Sequence, residues 1–157
     1  MKKLLVLGIG NILLGDEGVG VHAVEELKKE EWPEYVHLVD GGTFTHDIFH
    51  ILEGYDGLLV LDIVHGGKDG GTVYYLEEKD IIDNEKQRLS LHDIDLVDSL
   101  NMAGAVGKRP EMRILGMEPE NYTDWSMEMT DTCKAVFPGY VERARQEIKR
   151  FIEEFGQ

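Results

Sequence analysis

The sequence predicts an α/β fold, a three-layer sandwich in which about five mostly parallel, twisted strands carry helices on both faces. Short apolar runs typical of buried strands alternate along the chain with longer segments whose apolar residues recur at helical spacing. Strands that alternate with helices form parallel sheets covered on both faces. No internal repeat and no low-complexity linker interrupts the 157 residues, so we expect one domain over residues 1–157.

Four apolar runs are interpreted as central strands, and a fifth, β-rich segment behind a glycine-rich turn as a shorter edge strand. In chain order they are Leu4–Gly8, Tyr35–Val39, Leu58–Leu61, Thr72–Leu76 (the edge strand) and Met112–Met117. Helical spacing predicts helices over Glu17–Lys29, Thr45–Glu53 and Leu91–Met102, and a last helix with a long apolar stripe from Val141 to Phe155. Pro138-Gly139 predicts a break before that last helix.

Composition limits the classes of partner. The chain has 31 acidic and 16 basic residues and a net charge of −15, which opposes binding to nucleic acid or to an anionic membrane and favours a cation or a basic peptide. No apolar run approaches a membrane span, and the residues after Lys2-Lys3 do not suit a secretory signal. The single Cys133 cannot form an internal disulfide and is interpreted as a core residue. We expect a cytoplasmic protein.

A glycine-rich loop after the first strand carries two adjacent carboxylates. Residues 8–20 read Gly-Ile-Gly-Asn-Ile-Leu-Leu-Gly-Asp-Glu-Gly-Val-Gly, so Asp16 and Glu17 stand at the start of the first helix. Open α/β sheets bind their ligands in loops at the carboxyl ends of strands. Either acid could cap the helix, because acids favour that terminus. The alternative is that the pair holds a cation or a proton.

Further candidates follow other predicted elements. Asp40 and Asp62 end the second and third strands, and His92 lies at the start of the third helix. Parallel strands bring these ends to one edge of the sheet. Carboxylates from two strand ends and one imidazole form an oxygen and nitrogen donor set compatible with nickel, zinc, manganese or iron. Three ligands leave coordination positions open for water or for donors from another molecule.

Each candidate also has a structural explanation. Asp40 precedes Gly41-Gly42-Thr43 and is interpreted first as a turn former whose side chain bonds backbone N–H groups. His92 could be an ordinary surface histidine, with a neighbour capping the helix. Asp62 is harder to explain in this way, because it interrupts an apolar strand, where an uncompensated charge is costly.

Two other classes of protein share parts of this pattern. A dinucleotide-binding fold also has Gly8-x-Gly10 after its first strand, but Leu13 stands at the third glycine position and the loop continues to Asp16. A receiver-like signalling module also has an acidic pair after strand one and an acid after strand three. Its chemistry needs a lysine after the last strand, where this chain has Glu118-Pro119.

The motifs together resemble the [NiFe]-hydrogenase maturation endopeptidases. The resemblance rests on the loop of residues 8–20, on Asp40-Gly-Gly-Thr43, on Leu61-Asp62 and on Ser90-Leu-His92-Asp, in that order and spacing. It implies a five-stranded α/β sheet flanked by helices. It also implies cleavage of a C-terminal extension from the hydrogenase large-subunit precursor after nickel has been inserted, with no nucleotide cofactor.

The resemblance also implies roles for individual residues. It places the nickel-contacting residues at Glu17, Asp62 and His92, with the nickel supplied in the precursor. We expect Asp16 to act as a general base beside the metal. We expect Asp40, Gly41, Gly42 and Thr43 to contact the substrate, the last three through backbone N–H groups.

Overall fold

One five-stranded sheet forms the centre of the computed structural model, which describes residues 2–42, 49–77, 79–80, 104–105, 109–121 and 124–155. The strands are β1 (Leu4–Ile9), β2 (Val36–Gly42), β3 (Gly57–Ile63), β4 (Val73–Glu77) and β5 (Glu111–Met117). The helices of the described residues are α1 (Val19–Leu27), α2 (Phe49–Leu52) and α3 (Asp131–Phe155), and a 3₁₀ turn, Gly15–Gly18, precedes α1.

The strand order is β2-β1-β3-β5-β4, and every pairing is parallel except the antiparallel β4–β5 pair. All residues of β1 and β3 are buried, as expected for strands covered on both faces. The predicted α/β class, the mostly parallel sheet and the edge position of the fourth strand are confirmed. That residues 1–157 form one domain stays a prediction.

Alternate residues of the strands pack into two separate cores. On one face α1 and α3 cover Val6, Leu59 and Leu115, and fully buried Tyr140 and Phe151 anchor α3 there. On the other face Leu52 of α2 packs with the neighbouring strand residues Leu5, Leu7, Leu58, Val60 and Ile114. The period of two along each strand therefore supplies both hydrophobic layers.

The predicted break at Pro138-Gly139 is wrong, because α3 runs without interruption from Asp131 to Phe155. Proline lacks an N–H and normally disrupts a helix interior. Here both residues face solvent, while Cys133 and Tyr140 on either side are fully buried against the sheet. Burial of the flanking turns outweighs the missing hydrogen bond.

The end of β2 and the start of α1, both near the predicted site, also differ from the predictions. β2 continues past Asp40 to Gly42, where a tight turn was expected, and the β1–β2 register shifts between Gly8 and Ile9. The first helix begins at Val19 instead of Glu17, after the 3₁₀ turn. The predicted helix Leu91–Met102 and the first residues of Thr45–Glu53 lie outside the described residues. Within the described residues no helix is long and apolar enough to cross a membrane.

Candidate functional site

Close contacts between glycines hold the first helix against the carboxyl edge of the sheet. A Cβ atom added at Gly8 would lie 2.5 Å from the carbonyl oxygen of Gly20, and one added at Gly20 would lie 1.9 Å from that of Leu61. No side chain fits at such distances from backbone atoms, so the start of α1 rests directly on β1 and β3. This contact brings the acidic loop to the end of the strand that carries Asp62.

The loop itself folds back so that Glu17 lies over the end of β1. Gly10 has φ +144°, a conformation that favours glycine, and its added Cβ would lie 1.9 Å from the carbonyl oxygen of Glu17. The Gly15–Gly18 turn also contacts β3. Glu17 is half-buried there. The glycine pattern that the sequence showed therefore serves to position this acid.

Asp62 is the next-to-last residue of β3, and its side chain is fully buried. Its Oδ1 accepts a hydrogen bond from the N–H of Ile63 at 2.7 Å. Asp62 therefore lies at the predicted edge of the sheet, with its side chain enclosed by the protein. The sheet pairs Leu61 with Gly8, which places Asp62 at the same edge as the acidic loop.

The structure thus brings Glu17 and Asp62 to one edge of the sheet, whereas His92 lies outside the described residues. Among the residues that the structure describes, no group of three or more His, Cys, Asp or Glu side chains could hold a metal ion. The predicted three-ligand set includes His92, so its geometry stays a prediction.

Asp16 is fully buried, and its carboxylate is surrounded by hydrogen-bond donors. Oδ1 accepts the N–H of Thr130 at 2.8 Å, and Oδ2 accepts those of Glu120 at 2.9 Å and Asn121 at 3.0 Å. The Thr130 hydroxyl lies 3.2 Å from Oδ1 and 3.0 Å from Oδ2. Burial by itself raises the pKa of Asp16, but these hydrogen bonds together lower it below its usual value.

This environment bears on two predictions for Asp16. Neither the 3₁₀ turn nor α1 has a side-chain cap, so Asp16 does not cap the helix. A general base must accept a proton, and a carboxylate stabilised in its charged form by five contacts is poorly suited to that task. The geometry instead links the acidic loop to residues that lie more than 100 positions away.

Asp40 and Gly42 line an open cleft of about 340 Å³ beside the acidic loop, together with Gly10, Asn11, Ile12, Leu13 and Val21. The interpretation of Asp40 as a residue that bonds nearby backbone is confirmed, because its Oδ1 accepts the N–H of Gly42 at 2.8 Å. That N–H is therefore engaged within the protein, whereas it was expected to contact the substrate. Gly41 packs against Leu7, and Thr43 lies outside the described residues.

Sequence reasoning missed Glu118, a buried carboxylate just after β5. Its side chain bonds the loop that follows β3, and its N–H donates to the carbonyl of Thr72 at 2.7 Å. Nothing local in the sequence indicates these partners, which lie about 50 residues away. Cys133 is fully buried as predicted, and burial, the largest influence, raises the pKa of its thiol. A thiol with a raised pKa is a poor nucleophile.

The fold and the site define a class of protein: an α/β domain with a mostly parallel sheet and carboxylates at the carboxyl edge of that sheet. The hydrogenase maturation protease family model, HycI, matches residues 21–147. The chain is 34% identical to the hydrogenase expression/formation protein HupD of Rhizobium leguminosarum over 145 residues, which cover 90% of this chain and 72% of that protein. It is 30% identical to the hydrogenase 2 maturation protease of Escherichia coli, covering 98% and 93% of the two chains.

Solved structures agree with the sequence comparisons. The hydrogenase maturating endopeptidase HybD from Escherichia coli superimposes with a TM-score of 0.84 at 29% identity, covering 94% of this chain and 93% of that one. The chain therefore belongs to the hydrogenase maturation protease family. This membership confirms the resemblance and favours it over the dinucleotide-binding and receiver-like alternatives.

Proposed function

We propose that this protein is a cytoplasmic endopeptidase that removes a C-terminal extension from the precursor of a [NiFe]-hydrogenase large subunit. In this proposal it acts after nickel insertion and recognises the nickel already bound in the precursor. Glu17, Asp62 and His92 contact that nickel, and no nucleotide takes part. Membership in the hydrogenase maturation protease family supports the class of substrate.

The observation that carries the proposal is the packing of the acidic loop onto the end of β3. Gly8, Gly10 and Gly20 allow backbone contacts that no other residue permits, and these contacts deliver Glu17 to the edge where Asp62 lies. Two carboxylates and an imidazole leave coordination positions open, as suits a metal that is also bound by the precursor's own ligands. A nickel ion bound there can polarise a carbonyl group or lower the pKa of a bound water.

The cleft beside the acidic loop is the proposed binding site for the extension peptide. It is lined by the exposed apolar side chains of Ile12 and Leu13 and by Asp40 and Gly42. A peptide lying in it would pass next to Glu17, because Gly18 contacts Ile12. In this proposal Asp16 holds the loop in place and does not act as the general base.

The proposal is tested with a purified large-subunit precursor from the same cell, prepared once with nickel and once without. Each is incubated with the protein, and mass spectrometry detects a released C-terminal peptide. We expect release from the nickel-loaded precursor alone. Release from both precursors would contradict the recognition of nickel, and release from neither, with the protein shown to be folded, would contradict the peptidase activity.

A further inference from the structure

The segment that follows β5, Glu118–Asn121, bonds both loops that lead to the proposed nickel-contacting residues. Through its backbone it donates two N–H groups, those of Glu120 and Asn121, to Asp16 in the acidic loop. Through the side chain of Glu118 it accepts hydrogen bonds from Gly66 and Lys68, in the loop that follows Asp62 at the end of β3. We call this segment the brace.

The first contact of the brace fixes the acidic loop from inside. Asp16 directly precedes Glu17, and its buried carboxylate joins the brace to the N–H and hydroxyl of Thr130. Backbone bonds add to this attachment, because the N–H of Asp16 donates to the carbonyl of Asn121 at 3.1 Å. The N–H of Gly15 likewise donates to the carbonyl of Ser126 at 2.8 Å. The position of Glu17 therefore depends on the brace.

The second contact fixes the chain where it leaves β3. Oε1 of Glu118 accepts three hydrogen bonds, from the N–H of Gly66 at 3.0 Å, the N–H of Lys68 at 2.9 Å and the hydroxyl of Tyr74 at 2.8 Å. Val64, between Asp62 and this loop, packs against Gly116 of β5. A Cβ atom added at Gly116 would lie 2.1 Å from Cγ2 of Val64. The chain that follows Asp62 is thus held by β5 and by the brace.

We propose that Asp16 and Glu118 are positioning residues, which hold Glu17 and Asp62 at the spacing that nickel recognition requires by tying both loops to the brace. This inference rests on the proposed function. Groups that orient metal ligands from outside typically change metal affinity by about 10- to 100-fold when they are replaced. Neither residue needs to touch the nickel or the precursor to have this effect.

Replacement by an amide is expected to affect Asp16 and Glu118 differently, and this difference can be tested. Both oxygens of Asp16 accept backbone N–H groups, so Asp16→Asn places an NH₂ group against a donor in either orientation. All three donors to Glu118 meet one oxygen, which Glu118→Gln retains as its carbonyl. Glu118→Ala removes the acceptor altogether.

The test measures the dissociation constants of nickel-loaded and nickel-free precursor for each variant, and takes their ratio as the preference for nickel. A variant that merely unfolds in part binds both precursors less, so the ratio is unaffected. We expect Asp16→Asn and Glu118→Ala to lower the preference by about 10- to 100-fold, and Glu118→Gln to keep it within a few-fold. Thr130→Val, which replaces the hydroxyl by a methyl group and keeps the backbone N–H, gives a second and milder probe of the Asp16 contact.

A matched control lies at the opposite edge of the sheet. Asp56 also accepts a backbone N–H, that of Lys3 at 2.7 Å, so Asp56→Asn changes the same kind of contact far from the acidic loop. We expect its preference to equal that of the wild type. If Glu17→Ala loses the preference for nickel while Asp16→Asn and Glu118→Ala keep it, the proposed role of the brace is wrong. The proposed recognition of nickel would then still stand. A wild-type protein with no preference would overturn the proposed recognition of nickel.

Discussion

At the scale of single residues, Tyr74 has a raised pKa because of its burial and its contact with Glu118 of the brace. Its hydroxyl donates to Glu118, and its pKa is raised to about 12, first by burial and then by this carboxylate. The folded protein therefore keeps a proton between pH 10 and pH 12 that the unfolded chain releases. The contribution of Tyr74 to the free energy of unfolding is therefore fully present below pH 10 and is lost as the pH rises toward 12.

We predict that Tyr74→Phe flattens this alkaline loss of stability. The free energy of unfolding of the wild type should fall by up to about 1.4 kcal/mol more per pH unit than that of the variant across this window, the value for one proton. Urea titrations of both proteins at several alkaline pH values measure the difference. Equal slopes would show that Tyr74 does not retain its proton.

The residues also show what sequence reasoning can and cannot find. Glu17 and Asp62 were identified because a glycine-rich loop and an interrupted apolar strand are local signals. The side-chain partners of Asp16 and Glu118 lie 44 to 114 residues away, so no local pattern reveals them. The same reason explains why the sequence does not show that the oxygens of Asp16 accept hydrogen bonds from the distant residues Glu120, Asn121 and Thr130.

At the scale of elements, the contact between α1 and the sheet depends on Gly20. We predict that Gly20→Ala destabilises the protein by about 3 kcal/mol or more, because its Cβ would lie 1.9 Å from a backbone oxygen and the helix must move. Thermal or urea unfolding measures the change.

A helical glycine in open space provides the matched control for Gly20. Gly139 lies on α3 with no atom within 4 Å of an added Cβ, so Gly139→Ala should stabilise the protein by about 0.5–1 kcal/mol. If both substitutions had the same effect on the free energy of unfolding, the tight contact of α1 with β3 would be refuted.

Pro138 provides a second test at this scale. In a continuous helix Pro138→Ala restores an N–H that can bond the carbonyl of Lys134. We expect the free energy of unfolding to rise by about 1–3 kcal/mol, less than or equal to the full cost of proline in a helix interior. A fall in stability on this substitution would indicate a true break at residue 138, as the sequence alone suggested.

The elements that the sequence predicted correctly are those decided by hydrophobic pattern. β1 and β3 contain the predicted apolar runs Leu4–Gly8 and Leu58–Leu61, and both are central strands. The continuity of α3 was missed because local proline and glycine signals were given more weight than the burial of Tyr140 and its neighbours. Tertiary packing decides such cases, and a single sequence does not display it.

At the scale of the whole molecule, the net charge of −15 should steer the approach of a basic extension peptide. We predict that the association rate with the precursor falls about tenfold or more from low to physiological ionic strength, because salt screens long-range attraction. Stopped-flow measurements across a salt series provide the rates. A rate independent of salt would mean that the charge serves another purpose, such as solubility.

The central claim is that the acidic loop and the end of β3 present Glu17 and Asp62 to nickel in the precursor. Its most direct test is the rate of peptide release from nickel-loaded precursor by Glu17→Gln, beside Glu25→Gln as the control. Glu25 is an exposed acid of α1, paired with Lys28. We predict a loss of at least about 100-fold for Glu17→Gln and an unchanged rate for Glu25→Gln. A folded Glu17→Gln protein that releases the peptide at the wild-type rate would contradict the account.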